Sequence, residues 1–203
     1  MAHFKEERTL VIVKPDGVQR GLIGEVIKRL ERVGLKLVGA KLMVASPEHI
    51  EQHYTLDPNW RRANGEKTIK SYRDKGLTPP SEDPLEVNAA TLNGLKVYLS
   101  SGPVVCMVWQ GAHAVQIVRK ITGGTEPLAA ADVGTIRGDF ALDSYQMSDT
   151  DKRATRNVVH ASGSAQEATD EIAHWFKPEE VISYRLLNEA IIYAPELGSF
   201  LGD

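Results

Sequence analysis

Four short apolar runs, separated by segments with helical spacing, constrain this chain more than any other feature. Thr9-Leu10-Val11-Ile12-Val13 and Pro103-Val104-Val105-Cys106-Met107-Val108-Trp109 carry no charge and are rich in β-branched residues. They read as buried strands. Leu35–Val44 alternates loosely and reads as another strand, and Asn157-Val158-Val159-His160 as a short one. After the first strand, Leu22, Ile23, Val26, Ile27, Leu30 and Val33 fall on one face of a helix, which Gly34 stops. Ser46-Pro47-Glu48 is a helix start: a cap, a proline in the first turn and an acid at the positive end of the dipole. Ala112–Ile121 is expected as a helix ended by Gly123-Gly124. Ser164-Ala165-Gln166-Glu167 fits a capping box that opens a helix to Phe176, and Ser183–Tyr193 reads as a last helix. Strands joined through crossover helices predict an α/β sandwich with helices on one side of a small sheet.

Two stretches interrupt this alternation. Residues 57–92 hold Pro58, Pro79, Pro80 and Pro84, and from Arg61 to Lys75 six basic residues stand against two acids. The helical pattern resumes over Pro84–Leu99. This region is too short to bury a core of its own and reads as a helical excursion from the domain. Residues 122–157, rich in Gly, Asp, Ser and Thr, read as a long irregular connection.

With 203 residues, 42 % hydrophobic and 25 % charged, the chain has the composition of one globular domain. The formal charge of −3 gives no footprint for nucleic acid. No apolar stretch approaches the length of a membrane span, and the mixed-charge start, Met1 to Arg8, is not a signal peptide. Cys106 is the single cysteine, which excludes an intrachain disulfide and a multi-thiolate zinc site. A reduced, cytoplasmic, single-domain protein over residues 1–203 is the expectation.

P-loop, dinucleotide-binding and nucleophile-elbow signatures are absent. His49 and His53, four apart on a predicted helix, have a metal-ligand spacing without the His-Glu-x-x-His order, and otherwise read as a solvated helix face. His160 is more pointed. It ends an apolar strand and opens onto Ala161-Ser162-Gly163-Ser164 and a capped helix, where the dipole favours anions. Glu171 lies two turns into that helix. Lys14, Arg119 and Arg137 flank separate apolar segments, and cations converging from separate elements suit a polyphosphate.

Together these segments resemble the nucleoside diphosphate kinase family. The resemblance rests on Glu7 through Gly24, Ser101 through Trp109, Gly134-Thr135-Ile136-Arg137-Gly138-Asp139-Phe140, Asn157 through Ser164, and Trp175-Phe176-Lys177-Pro178-Glu179-Glu180, in the family's order. It implies a ferredoxin-like βαββαβ core, an antiparallel four-stranded sheet with helices packed on it, carrying a helical insertion near 57–92 and a second insertion near 141–155. It also implies ping-pong transfer of a γ-phosphoryl group from ATP or another nucleoside triphosphate to a nucleoside diphosphate. Mg²⁺ is the implied cofactor, held mainly through the nucleotide's phosphates.

Carried over residue by residue, His160 matches the nucleophile and Glu171 the acid that holds its imidazole. Ser162 matches the hydroxyl beside it. Lys14, Tyr54, Arg119, Thr125, Arg137 and Asn157 match positions that hold phosphates and ribose. Trp60, six residues after Tyr54, is the candidate ring for stacking the base. A neutral imidazole is a usable nucleophile at neutral pH, and phosphoryl transfer is catalysed mostly by positioning and charge.

The chain departs from the family pattern at Val133, where proline is usual, and at Ala161 and Gly163, where glycine and aspartate are commoner. The family forms hexamers or tetramers, so a homo-oligomer is implied; Val133 and the tail after Tyr193 bear on which. The alternative is a non-enzymatic nucleotide-binding interaction protein on the same scaffold, which should have lost His160 or a phosphate-binding cation.

Overall fold

The strands line up in the order β2-β3-β1-β4, with every neighbouring pair antiparallel. The computed structural model describes residues 4–74 and 76–195. Its first half runs β1 (Glu7–Val13), α1 (Pro15–Gln19), α2 (Ile23–Glu31), β2 (Lys36–Met43) and α3 (Pro47–Thr55). Next come α4 (Trp60–Asp74), α5 (Pro84–Ser100), β3 (Val104–Gly111) and α6 (Ala114–Thr122). The short helices α7 (Pro127–Ala130), α8 (Ile136–Phe140) and α9 (Tyr145–Thr150) precede β4 (Val159–Ala161), α10 (Ala165–Trp175) and α11 (Glu189–Ile192). Two split β-α-β units therefore interlock: β3 lies between β1 and β2, and β1 between β3 and β4. This is the four-stranded antiparallel ferredoxin-like arrangement.

The expectation of helices on one side of the sheet is corrected. Val11, Val13, Met107 and Trp109 pack against Val26 and Leu30 of α2 and Val118 of α6. Leu10, Ile12, Cys106 and Val108 pack against Ile50 of α3, Leu99 of α5 and Trp175 of α10. Successive strand residues point to opposite faces. A run apolar at every position, such as Leu10–Val13, therefore needs cover on both.

Several helix starts follow their local chemistry. Ser46 Oγ accepts from His49 N at 3.2 Å, and Ser164 Oγ accepts from Glu167 N at 3.1 Å. The second half of the expected capping box is altered: the Glu167 carboxylate takes Gly163 N instead of its cap residue.

Two further expectations change. The last helix covers only Glu189–Ile192. Residues before it are drawn out along β2, where Ile182 N donates to Val38 O at 2.7 Å and Lys36 Nζ to Tyr184 O at 2.7 Å. The connection expected as irregular holds three short helices, α7 to α9. Lys75, which ends the basic run, and the end of the tail after Tyr193 lie outside the described residues. Among the described residues no helix is long and apolar enough to cross a membrane.

Candidate active site

His160 sits in β4 opposite Ile12 of β1, two residues before Lys14. Lys14 N donates to Val158 O at 2.8 Å, which ties the end of β1 to the approach to His160. That approach is bent. Val158 has φ 67° and Val159 N donates to Asn157 O at 2.7 Å, closing a γ-turn. A β-branched residue with positive φ is strained and persists only when its surroundings hold it. Here Asp16 holds it: Asp16 Oδ2 accepts from Val158 N at 3.1 Å, while Oδ1 accepts from Tyr98 Oη at 2.5 Å.

The His160 ring is fixed from behind. Its Nε2 lies 2.7 Å from Glu171 Oε1. Ser162 Oγ donates to Glu171 Oε2 at 2.6 Å and accepts from Leu10 N at 3.1 Å. Glu171 is almost fully buried, which raises its pKa. The His160 and His53 rings and the Ser162 hydroxyl outweigh burial and bring it down to about 2. Glu171 is therefore an ionised acceptor, the proton sits on Nε2 of His160, and Nδ1 carries the lone pair.

Three cations meet in front of this ring. Lys14, Arg119 and Arg137 line one cleft of about 1110 Å³ together with His160. None of the three forms an ion pair with a carboxylate among the described residues. Lys14 Nζ donates to Asn157 Oδ1 at 2.6 Å. Arg137 is anchored on carbonyls, with Nη1 donating to Gly123 O at 2.9 Å and Nη2 to Val159 O at 2.7 Å. Asn157 Nδ2 donates to Thr125 O at 2.8 Å. Burial, with Arg137 nearby, drives the Lys14 ammonium down to about 7 against a smaller opposing pull from Asp16. Burial and Arg119 lower Arg137 to about 10. Cations that desolvated without anionic partners mark a place for an anion. Thr122 adds a buried hydroxyl on the same cleft with no hydrogen-bond partner among the described residues.

The remaining expected residues divide into two groups. Tyr54, Trp60 and Thr125 line the cleft, with the Tyr54 and Trp60 rings 5.0 Å apart. Burial, then the Glu171 carboxylate, raises the Tyr54 phenol, which stays protonated. Ser162 is fully buried and touches Glu171, not the cleft.

The His49–His53 pair is not a solvated face, nor does it converge on one metal. His49 stacks on His174 with centroids 4.0 Å apart. His53 is buried, with Nε2 3.6 Å from Glu171 Oε1 and Nδ1 accepting from Trp175 Nε1 at 3.1 Å. His53, His160 and Glu171 do bring three ligand atoms within 4.8 Å of one another. Their N,N,O character suits a transition metal more than Mg²⁺. Asp16 and Tyr98 are site residues that the sequence reading missed, although Asp16 had a signal in its place in the Lys14-Pro15-Asp16-Gly17 turn. His53, read only through its spacing from His49, joins the site through Glu171 instead.

A model of the nucleoside diphosphate kinase family matches residues 7–61 and 86–181. A nucleoside diphosphate kinase of Pyrobaculum aerophilum is 46 % identical over 180 residues, covering 87 % of this chain and 98 % of that one. Nucleoside diphosphate kinase B of Homo sapiens is 40 % identical over 179 residues, covering 88 % and 91 %. The crystal structure of an NDP kinase from P. aerophilum superposes with a TM-score of 0.83 at 44 % identity, over 88 % of this chain and all of that one. A transition-state mimic of the nucleoside-diphosphate kinase from Borrelia burgdorferi, with bound vanadate and ADP, gives 0.76 at 35 % identity, over 93 % and 98 %.

Proposed function

From the premise that the chain belongs to the nucleoside diphosphate kinase family, enzymes that transfer phosphate between nucleotides, we propose that His160 carries the phosphate. The observation that carries this reading is the 2.7 Å contact between His160 Nε2 and an ionised Glu171, which leaves Nδ1 as the free nucleophile. Nδ1 attacks the γ-phosphorus of a nucleoside triphosphate. The bond from that phosphorus to the β–γ bridging oxygen breaks, and the nucleoside diphosphate leaves with the electron pair. A second nucleoside diphosphate then attacks the phosphohistidine with a terminal phosphate oxygen, and the N–P bond returns its electrons to Nδ1.

Lys14, Arg119 and Arg137 bind the phosphate oxygens throughout, where charge accumulates in a loose transition state. Asn157 orients Lys14, and Tyr54 and Thr125 bind beside them. Trp60 stacks the base. Glu171, with Ser162 behind it, holds the imidazole in the productive tautomer. Mg²⁺ bound with the nucleotide's phosphates would supply neutralisation of their charge. The carboxylates of Glu167 and Asp170, which line the cleft, are the hard oxygens that would face it, whereas Glu171 is committed to His160 and Ser162.

The reading extends to context. The chain is one domain with insertions near 57–92 and 141–155, since α4, α5 and α9 line the same cleft as the sheet residues. A homo-oligomer is supported by apolar side chains left on the surface: Leu42 on edge strand β2 and Val44 just after it, Leu128 on α7 and Val133 before α8. The buried free thiol of Cys106, pushed up to about 12 by burial, fits a reducing cytoplasm.

The test is incubation with γ-labelled ATP and Mg²⁺. An acid-labile, base-stable phosphoprotein that disappears in His160→Ala supports the assignment. Full labelling of that variant would refute it.

A further inference from the structure

Residues 62–85 lie between the two segments matched by the family model, and most of α4 falls within them. Asn64 stands four residues after Trp60 on α4, so both side chains lie on one helix face, and both line the cleft. A base stacked on Trp60 would therefore lie about one helical turn from Asn64.

The amide of Asn64 is oriented by a chain of hydrogen bonds with only one consistent direction. Arg61 can only donate, and its Nε contacts Asn88 Oδ1 at 3.2 Å. Asn88 is fully buried, and its other end, Nδ2, then donates to Asn64 Oδ1 at 3.0 Å. The Asn64 oxygen faces α5, and its NH₂ group is the end left for a ligand. Gly65 makes the arrangement possible. A Cβ there would stand 1.9 Å from Pro84 O, so only glycine lets α4 and α5 approach closely enough for the two amides to meet.

We propose that Asn64 is a base-reading residue that selects nucleotides whose base presents a carbonyl acceptor at the six-position over those presenting an amino group there. Guanine offers the acceptor O6 where adenine carries a donor at N6, while N7 is an acceptor in both. A hydrogen-bond donor fixed against the six-position pairs with O6 and meets only another donor at N6, so it favours guanine. The inference rests on the stacking role given to Trp60, and it adds base discrimination to a site whose other groups are assigned to phosphate and ribose.

Calorimetric titration of the whole protein with GDP and with ADP tests it, independently of turnover. The expected dissociation constant for GDP is about fivefold below that for ADP. Asn64→Asp keeps an acceptor for Asn88 and replaces the donor with an oxygen, so the order of the two nucleotides should reverse. Asn64→Ala should bring them together. Equal affinities in the unaltered protein, or an unchanged ratio in Asn64→Asp, would overturn the proposal. A protein that still labels on His160 while binding both nucleotides equally loses only the base reading. One that keeps the GDP preference without labelling loses only the phosphohistidine.

Discussion

Lys14 Nζ donates to Asn157 Oδ1 at 2.6 Å, a neutral partner for a buried cation that also has Arg137 close by. Burial and Arg137 hold Lys14 at about 7, against an ordinary 10.5. An incoming polyphosphate offsets both effects with its negative charge and restores the proton. Nucleotide binding above pH 7 should therefore take up about one proton. Titrations in buffers of different ionisation enthalpy measure this directly. Lys14→Met should remove the uptake and weaken binding, and identical uptake in that variant would rule Lys14 out as its source.

Glu171→Gln keeps the shape of the residue behind His160 but removes the charge. An amide can donate as well as accept, so the proton is no longer driven to Nε2. The Ser162 hydroxyl also loses its ionised acceptor. The rate of His160 phosphorylation by ATP should fall about 10²–10⁴-fold, with nucleotide affinity nearly unchanged. Rapid-quench labelling separates the two. A large loss of affinity with an unchanged labelling rate would contradict a role behind the ring.

How much of this was legible depends on the distance over which each feature is determined. Local features came through. The β1 and β3 runs, the Ser46 and Ser164 caps, and the place of His160 at a strand end all depend on a few neighbouring residues. The helices on both faces required noticing that Leu10 and Val11 are equally apolar and so cannot both face a single layer. The burial of His53 could not be read, because its partner Trp175 is 122 positions away and a histidine four from another looks the same on any helix. Helix α9 was hidden for a different reason. Its six residues carry no apolar period. Instead it is held by the Ser144 cap and by Asp143, whose carboxylate accepts from Arg153 Nη1 and Arg156 N, each at 2.6 Å.

Burying His53 has a consequence for acid stability. Burial first, then the His160 ring, lowers it from 6.5 to about 3, with Glu171 opposing. Between those values the unfolded chain binds a proton that the folded protein excludes. Stability contributed by neutral His53 is thus complete above pH 6.5 and is lost as pH falls through the window. Glu171, at about 2 against 4.5, adds a further loss below pH 4.5. Urea midpoints should decline steadily below pH 6.5. In His53→Gln, which can still accept from Trp175 but does not titrate, the decline from 6.5 to 4.5 should become shallower, the remainder coming from His49, which burial and His174 likewise lower to about 4. A slope there equal to that of the unaltered protein would mean that other groups govern it.

Gly65→Ala separates the packing of the insertion from the chemistry of the site. The added Cβ would meet Pro84 O at 1.9 Å, a backbone atom that cannot rotate away, so α4 and α5 must part. Overpacking of this kind costs about 1–3 kcal/mol, and the melting temperature should fall by several degrees. Gly65 touches none of the phosphate-binding cations, so labelling of His160 should persist at temperatures where the protein is folded. The separation also breaks the Asn88–Asn64 contact that aims the Asn64 amide. The same variant should therefore bind GDP and ADP more nearly alike. A lowered melting temperature with intact discrimination would mean that Asn64 does not depend on the helix pair for its orientation.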